Sequence, residues 1–222
     1  MQYTHYFFDM DGTVINSAPG VTHSVSYALE KLGITPPPRD ELLCFIGPPL
    51  EWSFSHFYGM DPETTQKALA LYRECYSAGA IHECLVYDGI EALLKRVKAT
   101  GGICVLATSK PHEFANPILS YLGLDKYFEF VSGPEMDGTR NAKAEVIAYA
   151  IEKMGLTDKS SILMIGDREH DTLGAKEAGV DCVGVLWGFG DADELLSTGA
   201  KAVYKTPGEL ADAIAKNLIP RV

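Results

Sequence analysis

Asp9 and Asp11 stand one residue apart directly after the apolar run Tyr6-Phe7-Phe8, and Gly12-Thr13 follow them. An apolar run that stops abruptly at acidic residues and a glycine reads as a buried strand ending in a polar loop. Further along, Thr108, Ser109 and Lys110 follow the apolar stretch Ile103 to Ala107, Lys143 opens a helical stretch, and Asp167 and Asp171 follow Ile162 to Ile165. Two carboxylates this close at the end of a buried strand repel and raise each other's pKa unless a cation or hydrogen bonds compensate. A divalent metal is the economical solution, and hard oxygen donors from Asp9, Asp167 and a backbone carbonyl suit Mg²⁺, which keeps several waters. With part of the charge neutralised, one carboxylate can attack phosphorus and form an aspartyl phosphate, while the second protonates the leaving oxygen and then activates water. In such chemistry Lys143 balances negative charge and Thr108 donates a hydrogen bond to a phosphoryl oxygen.

These residues can meet only if the elements before them end on one edge. Beyond Asp88-Gly89 the pattern alternates between helices over Ile90 to Ala99, His112 to Leu122, Lys143 to Met154 and Thr172 to Ala178, and strands over Ile103 to Ala107, Phe128 to Val131, Ile162 to Ile165 and Cys182 to Leu186. Ala202 to Tyr204 and Gly208 to Asn217 read as a last short strand and a closing helix. Alternation with wholly apolar strands predicts an α/β fold built on a doubly wound parallel sheet, whose ligands sit beyond the carboxyl ends of the strands. From about Ala18 to Gly79 the spacing changes to that of helices, as in Val21, Val25, Ala28, Leu29 and Leu32, with breaks at Pro36-Pro37-Pro38 and Gly47-Pro48-Pro49. This segment is expected to be an all-helical insertion after the first strand.

Composition narrows the function classes. With Lys plus Arg at 19 against 30 acidic residues, the net charge of −11 disfavours nucleic acid or an anionic membrane as partner. Cys44, Cys75, Cys84, Cys104 and Cys182 are too dispersed for a zinc site and too few for a disulfide framework. Reduced thiols, the lack of a basic-then-apolar leader and the absence of an apolar run near 18 residues point to a cytoplasmic protein. Gly184, Gly188 and Gly190 do not form a dinucleotide-binding fingerprint after a first strand, so no dinucleotide cofactor is inferred. His23, His112 and His170 read as loop or surface histidines, and Trp52, Phe54, Phe57 and Tyr58 as mostly helix core.

The order Asp9-x-Asp11-Gly12-Thr13, Thr108, Lys143 and Gly166-Asp167-Arg168-Glu169-His170-Asp171 resembles the four motifs of haloacid dehalogenase-like hydrolases over essentially the whole chain. Its flavour is that of the phosphoglycolate phosphatase group, and Phe45-Ile46-Gly47-Pro48-Pro49-Leu50 and Ala107-Thr108-Ser109-Lys110-Pro111 resemble the related 5′-nucleotidase branch. The resemblance implies a catalytic core over residues 1–15 and 85–222 and a helical cap over 16–84. It implies Asp9 as nucleophile, Asp11 as general acid and base, and Mg²⁺ held by Asp9, the Asp11 carbonyl and Asp167, with Asp171 acting on the metal from farther out or through water. Ser109, Gly47 and Arg140 are the candidate substrate contacts. The dehalogenases that name the family work without the second Asp and without Mg²⁺, so Asp11 and the pair Asp167 and Asp171 favour phosphate esters. Ser109 stands where phosphoglycolate phosphatases often carry Asn, and Asn16 where many relatives carry Asp, which leaves the substrate open among small phosphorylated metabolites. A sugar-phosphate mutase of the same family and a receiver-like signalling module are the rival readings, and the oligomeric state is open between monomer and homodimer.

Overall fold

The first strand, β1 (His5–Phe8), lies in the interior of a six-stranded sheet and has neighbours on both sides. The structure, a computed structural model, describes residues 2–220. After β1 the chain makes a glycine turn and a two-residue strand, β2 (Ile15–Asn16), and then three helices, α1 (Ala18–Lys31), α2 (Leu50–Tyr58) and α3 (Pro62–Ala78). It returns through β3 (Leu85–Val86), which pairs with β2 in a sheet of its own. The remainder alternates as expected: α4 (Ile90–Ala99), β4 (Ile103–Ala107), α5 (His112–Tyr121), β5 (Phe128–Ser132), α6 (Lys143–Lys153), β6 (Ile162–Gly166), α7 (Glu169–Ala178), β7 (Asp181–Val185), α8 (Ala192–Thr198), β8 (Val203–Tyr204) and α9 (Pro207–Ala215).

All pairings in the large sheet are parallel, in the order β5-β4-β1-β6-β7-β8. Strands buried on both faces need apolar residues throughout, which is why β4 and β6 read as unbroken hydrophobic runs. Phe7, Val105 and Met164 pack with Val146, Ile147 and Ala150 of α6 and Ala175 of α7. On the sheet's remaining surface α4 packs on β4 and on α9. The chain runs from β1 to β4 and β5 on one side, then crosses to β6, β7 and β8 on the other, so the strand order reverses at β1. Open α/β sheets bind ligands beyond the carboxyl ends at such a reversal. Phe8 is level with both Leu106 and Ile165, so the loops beginning at Asp9, Thr108 and Asp167 leave the sheet side by side.

The chain divides into two compact units, one of residues up to Ile15 and from Val86, the other Asn16–Leu85. The second is helical. In it α1 packs on α3 through faces that carry Val21, Val25, Ala28 and Leu29 against Ala68, Leu69, Tyr72 and Tyr76, all buried. Asp61 starts α3 by accepting from the Thr64 N–H at 2.8 Å, with Pro62 in the first turn where its missing N–H costs nothing. A 3-10 stretch, Arg39–Phe45, adds Phe45, whose ring meets Phe54 of α2 edge-on at 5.0 Å.

Besides the two-residue strands β2 and β3, too short to show any period, two helices differ from the sequence expectation. Helix α8 was not anticipated: it has seven residues, Leu195 is its one buried residue and Leu196 is exposed, so no apolar stripe announces it. Asp191 nevertheless caps it by accepting from the Glu194 N–H at 2.9 Å. Helix α7 starts three residues before the expected Thr172, because its first turn carries polar Glu169, His170 and Asp171 and shows no apolar period. Among the described residues no helix is long and apolar enough to cross a membrane.

Candidate active site

Asp9 follows β1 with its N–H bonded to the Ile165 carbonyl at 2.9 Å, which fixes its backbone between β1 and β6. Its Oδ1 accepts from Lys143 Nζ at 2.7 Å. Lys143 opens α6 yet is buried, and the same ammonium donates to the Ala107 carbonyl at 3.1 Å and lies 2.9 Å from Asp171 Oδ1. Burial alone would push an ammonium towards neutrality; Asp171 and Asp9 outweigh it and hold Lys143 above its ordinary value, so the charge is fixed. Its stem runs past Gly174 of α7, where an added Cβ would fall 2.6 Å from Lys143 Cγ.

Asp167, the residue after β6, is fully buried. Thr13 Oγ1 donates to its Oδ1 at 3.1 Å and the Phe189 N–H to its Oδ2 at 2.8 Å. Burial first, then the charges of Asp171 and Asp9, raise its carboxyl well above the usual range. Asp171 is raised too, chiefly by burial, with Lys143 opposing; its Oδ2 accepts from the Arg168 N–H at 3.2 Å. Gly166 makes room for it, since a Cβ there would lie 2.2 Å from the Asp171 carboxyl carbon. One ligand oxygen from each of Asp9, Asp167 and Asp171 lies within 4.8 Å of the others.

Asp11 sits on the turn made by Gly12, whose φ of +88° suits glycine alone; a Cβ there would lie 2.1 Å from Asp167 Oδ2. Its Oδ2 is 3.2 Å from Lys110 Nζ, and its Oδ1 is buried without a hydrogen-bond partner. Thr108 is buried beyond β4; its N–H bonds the Ser132 carbonyl at 3.0 Å and its Oγ1 accepts from the Lys110 N–H at 3.1 Å. Four carboxylates, Asp9, Asp11, Asp167 and Asp171, therefore share this edge with two lysines. That imbalance, the orphaned buried oxygen of Asp11 and an all-oxygen donor set fit a hard divalent cation.

The structure thus brings Asp9, Asp11, Lys143, Asp167 and Asp171 together, with Thr108 at the adjacent strand end. Ser109 is half-buried in the Thr108 turn. Arg140 belongs to the 133–142 loop: its guanidinium pairs with Glu135, donates to the Gly133 carbonyl and lies 4.0 Å from the centre of the Tyr149 ring. Gly47 lies in the helical unit with a φ of +104°. Sequence reading assigned no role to Lys110, Thr13 or Glu194. Glu194 of α8 accepts from Arg168 Nε at 2.9 Å and the Glu169 N–H at 2.7 Å, and so steadies the turn between Asp167 and Asp171. Lys110 was visible in the Thr-Ser-Lys-Pro phrase, but its pairing with Asp11 follows only from the strand register.

A parallel α/β core with this acidic edge defines a class, and comparison names it: residues 6–185 match the haloacid dehalogenase-like hydrolase family, and the chain belongs to that family. It stands with the family's phosphatases. It is 42% identical over 195 residues to a 5′-nucleotidase of Pseudomonas aeruginosa, covering 88% of each chain. A predicted phosphatase from Clostridium acetobutylicum superposes with a TM-score of 0.93 at 40% identity, covering 97% of this chain and all of that one. The chain is also 34% identical over 209 residues to the tyrosine-protein kinase PtkA of Mycobacterium tuberculosis, covering 93% of this chain and 71% of that protein.

Proposed function

We propose that this chain is a Mg²⁺-dependent phosphatase that hydrolyses a small phosphomonoester through an aspartyl phosphate on Asp9. The observation that carries the reading is the pair of differently placed carboxylates on one turn: Asp9 bonded to the buried Lys143 at 2.7 Å, Asp11 two residues on with a free oxygen. Lys143 orients Asp9 Oδ1, and the other Asp9 oxygen attacks phosphorus as the ester oxygen leaves. Asp11 gives that oxygen its proton, then takes a proton from the water that attacks the acyl phosphate, so Asp9 is regenerated and inorganic phosphate departs. Thr108 and Lys110 supply a hydroxyl and a second positive charge for the phosphoryl oxygens. Asp9, Asp167 and the Asp11 carbonyl would hold Mg²⁺, with Asp171 behind them, and the cation would neutralise phosphoryl charge and help align it.

The helical unit is assigned as the cap of this enzyme, with Gly47, and with Ser109 and Arg140 of the core, as candidate substrate contacts. The cytoplasm is the proposed compartment. Small phosphoesters such as a nucleoside 5′-monophosphate or phosphoglycolate head the substrate panel, on the strength of the relatives' names. Asp9→Asn is expected to cut phosphate release by on the order of 10⁴-fold or more, leaving the thermal unfolding transition in place. Release from the panel should require Mg²⁺ and stop in chelator. Near-normal turnover by the variant overturns the nucleophile, and transfer to a second alcohol without phosphate release would favour mutase chemistry.

A further inference from the structure

The loop after β7, Leu186-Trp187-Gly188-Phe189-Gly190, carries two glycines for which the sequence offers no cofactor role. We infer that this loop is a brace that sets the Asp167 carboxylate for the divalent cation, with Trp187 and Gly188 as positioning residues. The inference rests on the metal reading above.

Three contacts carry it. The Phe189 N–H donates to Asp167 Oδ2 at 2.8 Å while Thr13 Oγ1 holds Oδ1 at 3.1 Å, so each oxygen has one fixed donor and rotation of the carboxylate is blocked. Each oxygen keeps a second acceptor site for a cation. The same loop reaches back to the Asp9 to Thr13 turn, because Trp187 Nε1 donates to the Thr13 carbonyl at 2.9 Å. Between these two bonds Gly188 lies against both turns. A Cβ there would fall 2.3 Å from the Gly12 carbonyl oxygen and 2.4 Å from Asp167 Oδ2. At Gly190 a Cβ would fall 2.0 Å from the Asp167 carbonyl oxygen. The backbone of one loop therefore occupies space that no side chain can share, and joins the turn that carries Asp9 and Asp11 to the one that carries Asp167.

Groups that orient a metal ligand without touching the metal set its affinity, since a carboxylate already in place loses little freedom on binding. A loop that merely held the fold together would lower stability equally with and without Mg²⁺. A brace acts on affinity.

The test uses the full chain, stripped with EDTA and titrated with Mg²⁺ by isothermal calorimetry, alongside thermal unfolding in EDTA. Trp187→Phe keeps an aromatic ring, smaller than the indole, and loses the donor; Gly188→Ala adds the clashing methyl. Mg²⁺ affinity is expected to fall within roughly 10–100-fold, Gly188→Ala towards the upper end and Trp187→Phe towards the lower. Any fall in the unfolding temperature of Trp187→Phe in EDTA should be smaller than its fall at a fixed Mg²⁺ concentration, and its kcat should recover at saturating Mg²⁺. If Gly188→Ala does not fold, Trp187→Phe decides. Wild-type affinity in the folded variants overturns the inference alone; a wild-type chain that takes up no Mg²⁺ overturns the underlying metal reading and this inference with it.

Discussion

The two units of the chain bury polar groups in opposite ways. In the helical unit Thr22, Ser24, Ser53 and Thr65 are buried, and each hydroxyl donates to a carbonyl four or five residues back, Thr22 to Ala18 at 2.7 Å and Ser24 to Gly20 at 2.9 Å. Those four are small, neutral and satisfied within their own segment, and cost little; Ser17, at the start of the unit, is the buried hydroxyl left without a partner. In the sheet unit the neutral Thr13, Thr108, Ser132 and Thr172 are joined by five buried charged side chains, Asp9, Lys110, Lys143, Asp167 and Asp171, drawn from separate strand ends. Charges are expensive to bury even when paired. Folds tolerate local conflict of that kind where function requires it, so the contrast supports the proposed place of the chemistry without reference to any relative.

Removing the cation at the centre of the charged set should have the largest effect. Lys143→Met leaves Asp9 and Asp171 facing each other unpaired and is expected to cost about 3–5 kcal/mol in urea unfolding with EDTA present. A loss within experimental error would break the contrast. The charged set should next reveal itself through pH. Burial, Asp171 and Asp9 raise the Asp167 carboxyl, so the folded chain binds that proton more tightly than the unfolded chain. Stability contributed by such a proton is present at low pH and lost as pH rises through the raised value. In EDTA the unfolding temperature should therefore fall as pH rises from the ordinary carboxylate range through the raised value, and Mg²⁺ should flatten the fall. A chelated protein that gains stability over that interval would contradict the assignment. Smallest is the change in the helical unit: Ser24→Ala removes only a bond to its own helix and should alter unfolding free energy by less than about 1 kcal/mol. A larger loss there would mean that the quiet unit is not quiet.

The parallel sheet was legible because Tyr6-Phe7-Phe8 of β1 and the whole of β4 and β6 are apolar runs that stop at polar residues, and parallel strands deliver such stops to one edge. Asp9, Asp11, Asp167 and Asp171 could be gathered from that rule, whereas Lys143, which opens a helix, was joined to them by its charge and by the family resemblance. What holds them was less readable. Lys110 meets Asp11 across a separation of 99 positions that no period encodes. The donor to Asp167 Oδ2 is a backbone N–H, which every residue but proline carries, so Phe189 gives no sign of it. Helix α8 has too few buried residues to show a stripe, although its Glu194 ties down Arg168. Arg140 was marked by its charge and its place before Lys143, yet its left-handed backbone, at φ 62°, turns it into the Glu135 and Tyr149 packing of its own loop.

Gly174 bears on attempts to engineer this protein for heat resistance. A glycine in the middle of a helix is a routine target, because alanine there commonly adds roughly 0.5–1 kcal/mol. In α7 that remedy would drive a methyl into the aliphatic stem of Lys143, 2.6 Å away, and shift the ammonium that orients Asp9. The helix forgoes that gain so that the lysine stem can run past it, and a design protocol blind to that passage would gain no melting temperature there and would disturb the contact between Lys143 and Asp9.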